Sequence, residues 1–337
     1  MLMMAGMLGA MMAGVALVGL VAMPLDEDVD DPTSETEDID ATIETLTATE
    51  TEVSPGDALT AILNGSNGDD VIAGDADDNS ILAQGGDDQA NGYGGDDLIE
   101  GGSGRDDLFG GTGHDTLAGG AGNDTLHGQE DDDLLQGDSG HDQLFGHNDN
   151  DTLVGGAGED QLFGGDGNDD LQGGQDNDRL QGGLANDTLT GGAGQDVLFG
   201  GLGNDVLQGT VGETAAEQDF LNGGAGDDIV HFGGLDVVTG GDGADQLIAA
   251  TDTETAEVMD FDVKEDTLVL IYDDSLDSGV PELDLRHRDG PAGGLEVWLD
   301  DTQVALLRGI NDDAGTDIQV VPHSALAPVS IVPTAYR

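Results

Sequence analysis

Gly119-Gly120-Ala121-Gly122-Asn123-Asp124-Thr125-Leu126-His127 is one copy of a nine-residue phrase that decides how this chain folds. From Gly65 to Gln208 the phrase recurs sixteen times without a gap. Its first residue is Gly except at Ala83, its sixth is Asp except at Asn79, and its eighth is Ile or Leu except at Ala90. A strict fixed period marks a solenoid. Glycines at positions one, two and four let the backbone turn through positive φ without steric cost. Thr-Leu-His then reads as a short strand, with one apolar side chain facing one way and two side chains facing the other. One turn and one strand cannot bury that leucine, whereas stacked copies line their leucines into an inner row.

Two phrases complete a coil, so the expected rung is eighteen residues with two parallel sheets. Phe109, Phe145, Phe163 and Phe199 all occupy position nine and are separated by 36, 18 and 36 residues, multiples of eighteen. They fall on one of the two sheets and cover its rim. A sharper alternative makes them an outward aromatic stripe for a partner.

The sixth position places a carboxylate on every turn: Asp70, Asp88, Asp97, Asp106, Asp115, Asp124, Asp133, Asp142, Asp151, Asp160, Asp169, Asp178, Asp187, Asp196 and Asp205, then Asp228 and Asp245 in later copies. Leucine burial alone falls short of the entropy of ordering so glycine-rich a chain. Stacked aspartates also repel. Calcium answers both problems, because it takes six to eight oxygens from carboxylates and backbone carbonyls in flexible geometry. These seventeen aspartates are therefore the expected ligands of multiple Ca2+ ions. As plain turn residues they would bring uncompensated charge together at each rung.

The pattern Gly-Gly-x-Gly-x-Asp-x-Leu-x at Gly119–His127, Gly155–Phe163, Gly164–Gln172 and Gly191–Phe199 resembles the RTX, or haemolysin-type, calcium-binding repeat. The resemblance implies an all-β fold: a right-handed parallel β-roll (β-solenoid) with calcium between successive turns, followed by a small C-terminal β domain. It also implies type I secretion from a Gram-negative bacterium, with extracellular folding. Position four departs from the pattern at Asp77, Asp131, Asp149, Asp176 and Ala185, and the units around Asn79, Ala83 and Ala90 are expected to form loose first coils.

Four regions follow. Residues 1–23 are apolar and uncharged, long enough for a membrane span, with a signal-like segment as the rival reading. Residues 24–63 are acidic and threonine-rich, the composition of a disordered linker. Residues 64–248 form the roll, in which Gly209–Asn222 carries five extra residues and Phe232–Thr239 is one short. Residues 249–337 contain candidate strands at Glu257–Asp262, Thr267–Tyr272, Leu283–Arg288, Leu295–Leu299, Val304–Leu307 and Asp317–Val321. Met259–Leu268 resembles the segment that closes RTX arrays, and by that resemblance the C-terminal region caps the roll and ends in an uncleaved secretion signal.

A net charge of −65 excludes a nucleic-acid partner, for no basic groove meets phosphate. With no cysteine, no disulfide holds the chain. Neither a His-Glu-x-x-His helix nor a Gly-x-Ser-x-Gly elbow occurs, so no enzyme is expected. His114 and His141, at position five, read as surface turn residues rather than transition-metal ligands, and Arg286-His287-Arg288 as partners for carboxylates. The expected function is a secreted, non-catalytic calcium-binding protein. The expected partners are calcium ions and the type I secretion machinery, with membrane or cell-surface contact through residues 1–23. The alternatives are a surface adhesin or matrix component anchored by its N-terminal segment, and an extracellular hydrolase with its site in 249–337.

Overall fold

A computed structural model describes residues 61–210, 217–250, 255–272, 274, 280–288, 293–310 and 317–325. The chain divides into Met1–Thr45 and Leu46–Arg337, and all described residues belong to the second unit. The apolar segment, nearly all of the acidic stretch and the final residues expected to carry a secretion signal lie outside them.

Successive strands alternate between two sheets, of 13 and 14 strands, and each repeat strand pairs in parallel with the strand two ahead. The register is the eighteen-residue offset of the sequence: Leu126 faces Leu144, Leu144 faces Leu162, and Leu153 faces Leu171. The fold is an all-β parallel solenoid. Its interior is the position-eight row, Ile81 through Leu207, continued by Leu221, Val230, Val238 and Leu247. Ala83, Ala90 and Asn79 are buried in the same stack, so the early coils keep the register of the rest.

Most strands of the repeats are six residues long rather than three. Thr125–Glu130 alternates outward Thr125 and His127 with buried Leu126 and Gly128 before the chain turns. Position one is thus an inward strand residue, while the ladder skips it and resumes at position two. There the backbone enters the left-handed region, at φ 103° in Gly120 and 96° in Gln129.

Glycine content drops after Ile248, but the two sheets do not stop there. Gln246–Ala250 pairs in parallel with Thr267–Tyr272, which pairs in parallel with Asp317–Pro322. On the other sheet Val237–Asp242 is followed by Ala256–Val258 and then Thr302–Arg308. Among the described residues only the last two strands of this sheet, Gly294–Leu299 and Leu283–Arg288, pair antiparallel. Larger side chains such as Phe261, Leu268, Val297 and Leu307 fill this end of the same core. Arg286 is bound to Asp284 at 2.8 Å and lies 4.2 Å over the Trp298 ring, so the basic cluster is engaged locally. Among the described residues no helix is long and apolar enough to cross a membrane.

Candidate metal centres

Each sixth-position carboxylate is buried at the junction of turn and strand. Its Oδ1 accepts the backbone N–H of the equivalent residue one coil back: Asp106 N donates to Asp124 Oδ1 and Asp124 N to Asp142 Oδ1, both at 2.8 Å. The carbonyl of the same aspartate accepts from the next coil: Thr125 N donates to Asp106 O at 2.8 Å. Two such rows run along the solenoid, one through Asp88, Asp106 and Asp124, the other through Asp97, Asp115 and Asp133.

Oδ2 is different. In every expected ligand except Asp70, that is Asp88 to Asp205 together with Asp228 and Asp245, this oxygen is buried and receives no hydrogen bond. Buried polar atoms are seldom left so. The oxygen faces the position-one glycine of its own turn. The point where a Cβ on Gly101 would sit is 2.5 Å from Asp106 Oδ2 and 2.8 Å from the carbonyl oxygen of Gly119, one coil on. A carboxylate oxygen and a carbonyl oxygen, both acceptors, thus converge on space that only glycine leaves open.

The turns that depart from the pattern show what the others lack. At Asn79 the amide Nδ2 donates to the Asp77 carbonyl and to Asp75 Oδ1. At Asp70 the second oxygen accepts from Ser66 N and from Ser66 Oγ at 2.9 Å. In the short unit Gly233 N donates to Asp236 Oδ2 at 2.7 Å, and at the end of the other row Asp262 N donates to Asp266 Oδ2 at 2.7 Å. Each of these four has a proton donor in its own turn. The regular aspartates have none, and a hard cation fits the acceptors that remain.

Burial also opposes charge on these groups. Desolvation, helped by aspartates on adjacent coils, pushes Asp88 and Asp106 up to about 6, Asp133 and Asp142 to about 7, and Asp151 and Asp178 to about 8. A carboxylate in this position takes either a proton or a cation. Among the described residues no three His, Cys, Asp or Glu side chains converge as a metal cluster, and the other oxygens near Oδ2 are turn carbonyls such as Gly119 O.

Asp70, also among the expected ligands, differs from the rest in that its Oδ2 already accepts from Ser66 N and Oγ. Asp219 belongs in the row and was not among them: it is buried, and its Oδ1 accepts from Asp196 N at 2.9 Å across a separation of 23 residues. Its unit carries five extra residues, yet Asp219 and Leu221 both stay in phase with the repeat. A second ladder, which the repeat pattern does not announce, runs through position five. Position-five side chains accept backbone N–H groups from the next coil, as when Asn168 N, Asn186 N and Asn204 N donate in turn to Asn150, Asn168 and Asn186. His141 belongs to this ladder, accepting Glu159 N at 2.9 Å on Nδ1.

Comparison with family models matches the RTX calcium-binding nonapeptide repeat over residues 56–144, 145–207 and 215–252, through overlapping windows. No curated protein matches the chain. Members of this family bind Ca2+ at multiple sites. The match spans more than half of the 337 residues, and this chain belongs to the RTX calcium-binding nonapeptide repeat family.

Proposed function

We propose that the sixth-position aspartates from Asp88 to Asp205, with Asp228 and Asp245, hold calcium through Oδ2 together with turn carbonyls, and that this binding makes the chain fold. The supporting observation is the row of buried Oδ2 atoms that receive no hydrogen bond. Bound calcium supplies positive charge to oxygens that the chain itself cannot satisfy. The residues do the rest: position-one glycines leave the space, Oδ1 ties each coil to the last, and leucine closes the interior. An ion present at tenfold its dissociation constant adds about 1.4 kcal/mol per site, and the repeats add such increments along the whole array.

The protein is, in this reading, exported unfolded through a type I secretion channel at low cytosolic calcium, and it folds outside the cell. It is not a catalyst. The buried charged side chains among the described residues are all aspartates of the stacked rows or their closing turn, engaged in building coils. Residues 1–23 serve as leader or anchor, and 249–337 as cap and secretion signal. A second reading, an adhesin or matrix component, draws on exposed Leu184, Val197, Phe199, Leu202 and Phe220, which share one sheet, with Val197 directly opposite Phe220. Far-UV circular dichroism during calcium titration tests the main reading. The chelated chain is expected to be disordered and to gain β signal cooperatively. The same compact structure in excess chelator would overturn it. Fractionating cells with and without residues 1–23 separates free secretion from anchoring.

A further inference from the structure

Outside the aspartate rows, two histidines meet on the outer surface of one sheet. His127 occupies position nine of its unit and His147 position two of a unit one coil on. His127 Nδ1 and His147 Nε2 are 3.0 Å apart, with ring centroids at 5.3 Å. His127 is held rigidly. Its ring is stacked between Phe109 and Phe145, at 4.8 Å and within 10° of parallel on both sides, and Phe145 stacks on Phe163 at 5.0 Å. His147 is exposed, and its backbone sits at φ 85°, a left-handed conformation.

Phenylalanine occupies position nine at the neighbouring coils and would fill the stack at 127 as well; histidine keeps the stacking and adds nitrogen. The other turn histidines are placed differently, for Nδ1 of His114 lies 3.0 Å from Asp132 O and Nδ1 of His141 accepts Glu159 N. Burial and the neighbouring His147 hold His127 below the ordinary imidazole range, so its lone pair is available at neutral pH. Glu130 and Asn148 line the cleft beside the pair, their side chains joined at 3.0 Å.

We propose that His127 and His147 form a two-imidazole site for a borderline divalent transition ion (zinc, nickel or copper), separate from the oxygen sites of the turns. Metal–imidazole bonds of about 2.0–2.1 Å place two adjacent ligand nitrogens roughly 3 Å apart, and the observed spacing already has that value. The exposed His147 ring turns so that its lone pair converges with that of His127, and water completes the coordination. In the metal-free pair one nitrogen donates its proton to the other. On binding, the donating ring moves that proton to its other nitrogen, which leaves a lone pair on each of the two facing nitrogens, and no proton is lost. Imidazole selects these ions over calcium, which prefers oxygen.

The test uses the full chain in saturating calcium, titrated with copper, nickel or zinc by calorimetry, with copper electron paramagnetic resonance reporting nitrogen ligands. The wild type is expected to bind one ion per chain tightly, with a two-nitrogen copper signature. His127→Phe preserves the ring stack and His147→Gly suits the positive φ, and each is expected to lose that binding class with unchanged circular dichroism. His114→Asn with His141→Asn is expected to retain it. The proposal fails if the wild type shows no nitrogen-ligated class, or if that class persists in either single variant.

Discussion

At Gly137 a methyl group would lie 2.5 Å from Asp142 Oδ2 and 2.7 Å from the Gly155 carbonyl oxygen. The glycine at position one and the aspartate at position six therefore act as a pair, since the first exists to admit the second. Gly137→Ala is expected to cost about 1–3 kcal/mol, the range for overfilling a packed site, and to raise the calcium concentration needed for folding. Position four tells the opposite story. From Gly86 onward glycines there take φ of 98° to 152°, whereas Asp131, Asp149, Asp176 and Ala185 are confined to 69–75°. Ala185 carries the left-handed strain with no polar side chain to offset it. Ala185→Gly is expected to stabilise the folded protein by roughly 0.5–1 kcal/mol, because relief of about 1–2 kcal/mol of strain outweighs the added chain entropy. Denaturant midpoints in saturating calcium read both changes, and a destabilising Ala185→Gly would show that the turn is not strained.

From Leu98–Ser103 to Val206–Thr210 each strand buries one Ile or Leu at position eight, and these side chains belong to one core in register with the strands one coil away. Leu144→Ala is expected to cost 2–5 kcal/mol by leaving a cavity, while Thr125→Ala on the outer face stays within about 0.5 kcal/mol. Equal effects in a denaturation series would mean that the inner row is not the core. Much of this element-level order was legible, because Leu at position eight and the phenylalanine spacing both encode an eighteen-residue coil. Strand length was not, since a position-one glycine reads as turn although it lies inward and extended. His127 completing the stack between Phe109 and Phe145 was hidden for a similar reason: counting phenylalanines alone leaves a gap there. Alternating apolar residues located five of the six expected strands beyond Ile248 to within two residues, whereas the expected Glu257–Asp262 is a strand only at Ala256–Val258, before the chain turns at Asp262. Their partners depend on pairings up to some fifty residues apart, as between Ala256 and Ala305 or Thr267 and Asp317, which local pattern does not carry. The aspartates were found by period, but their role as coil-to-coil acceptors through Oδ1 needed the stacked geometry.

If the proposed calcium sites are right, protons and calcium compete for the same buried oxygens across the whole array, and the two make opposite demands on pH. Without metal, the folded-state values of about 6 to 8 lie above the ordinary aspartate value near 3.9. A raised folded-state pKa favours the folded form below the unfolded value and withdraws that support as pH climbs through the folded one. The chelated chain is therefore expected to be disordered at pH 8 and to gain β structure on acidification through 8 to 5. In calcium the dependence reverses, since the ion needs the ionised carboxylate, and the folding midpoint should move to lower calcium as pH rises over the same range. General repulsion from a net charge of −65 would also ease on acidification, but 1 M salt shortens the screening length to about 3 Å and suppresses that contribution. If high salt at pH 8 folds the chelated chain as well as acid does, long-range repulsion is the barrier. If acid folds it and salt does not, the barrier is the desolvation of these carboxylates, the condition that calcium relieves.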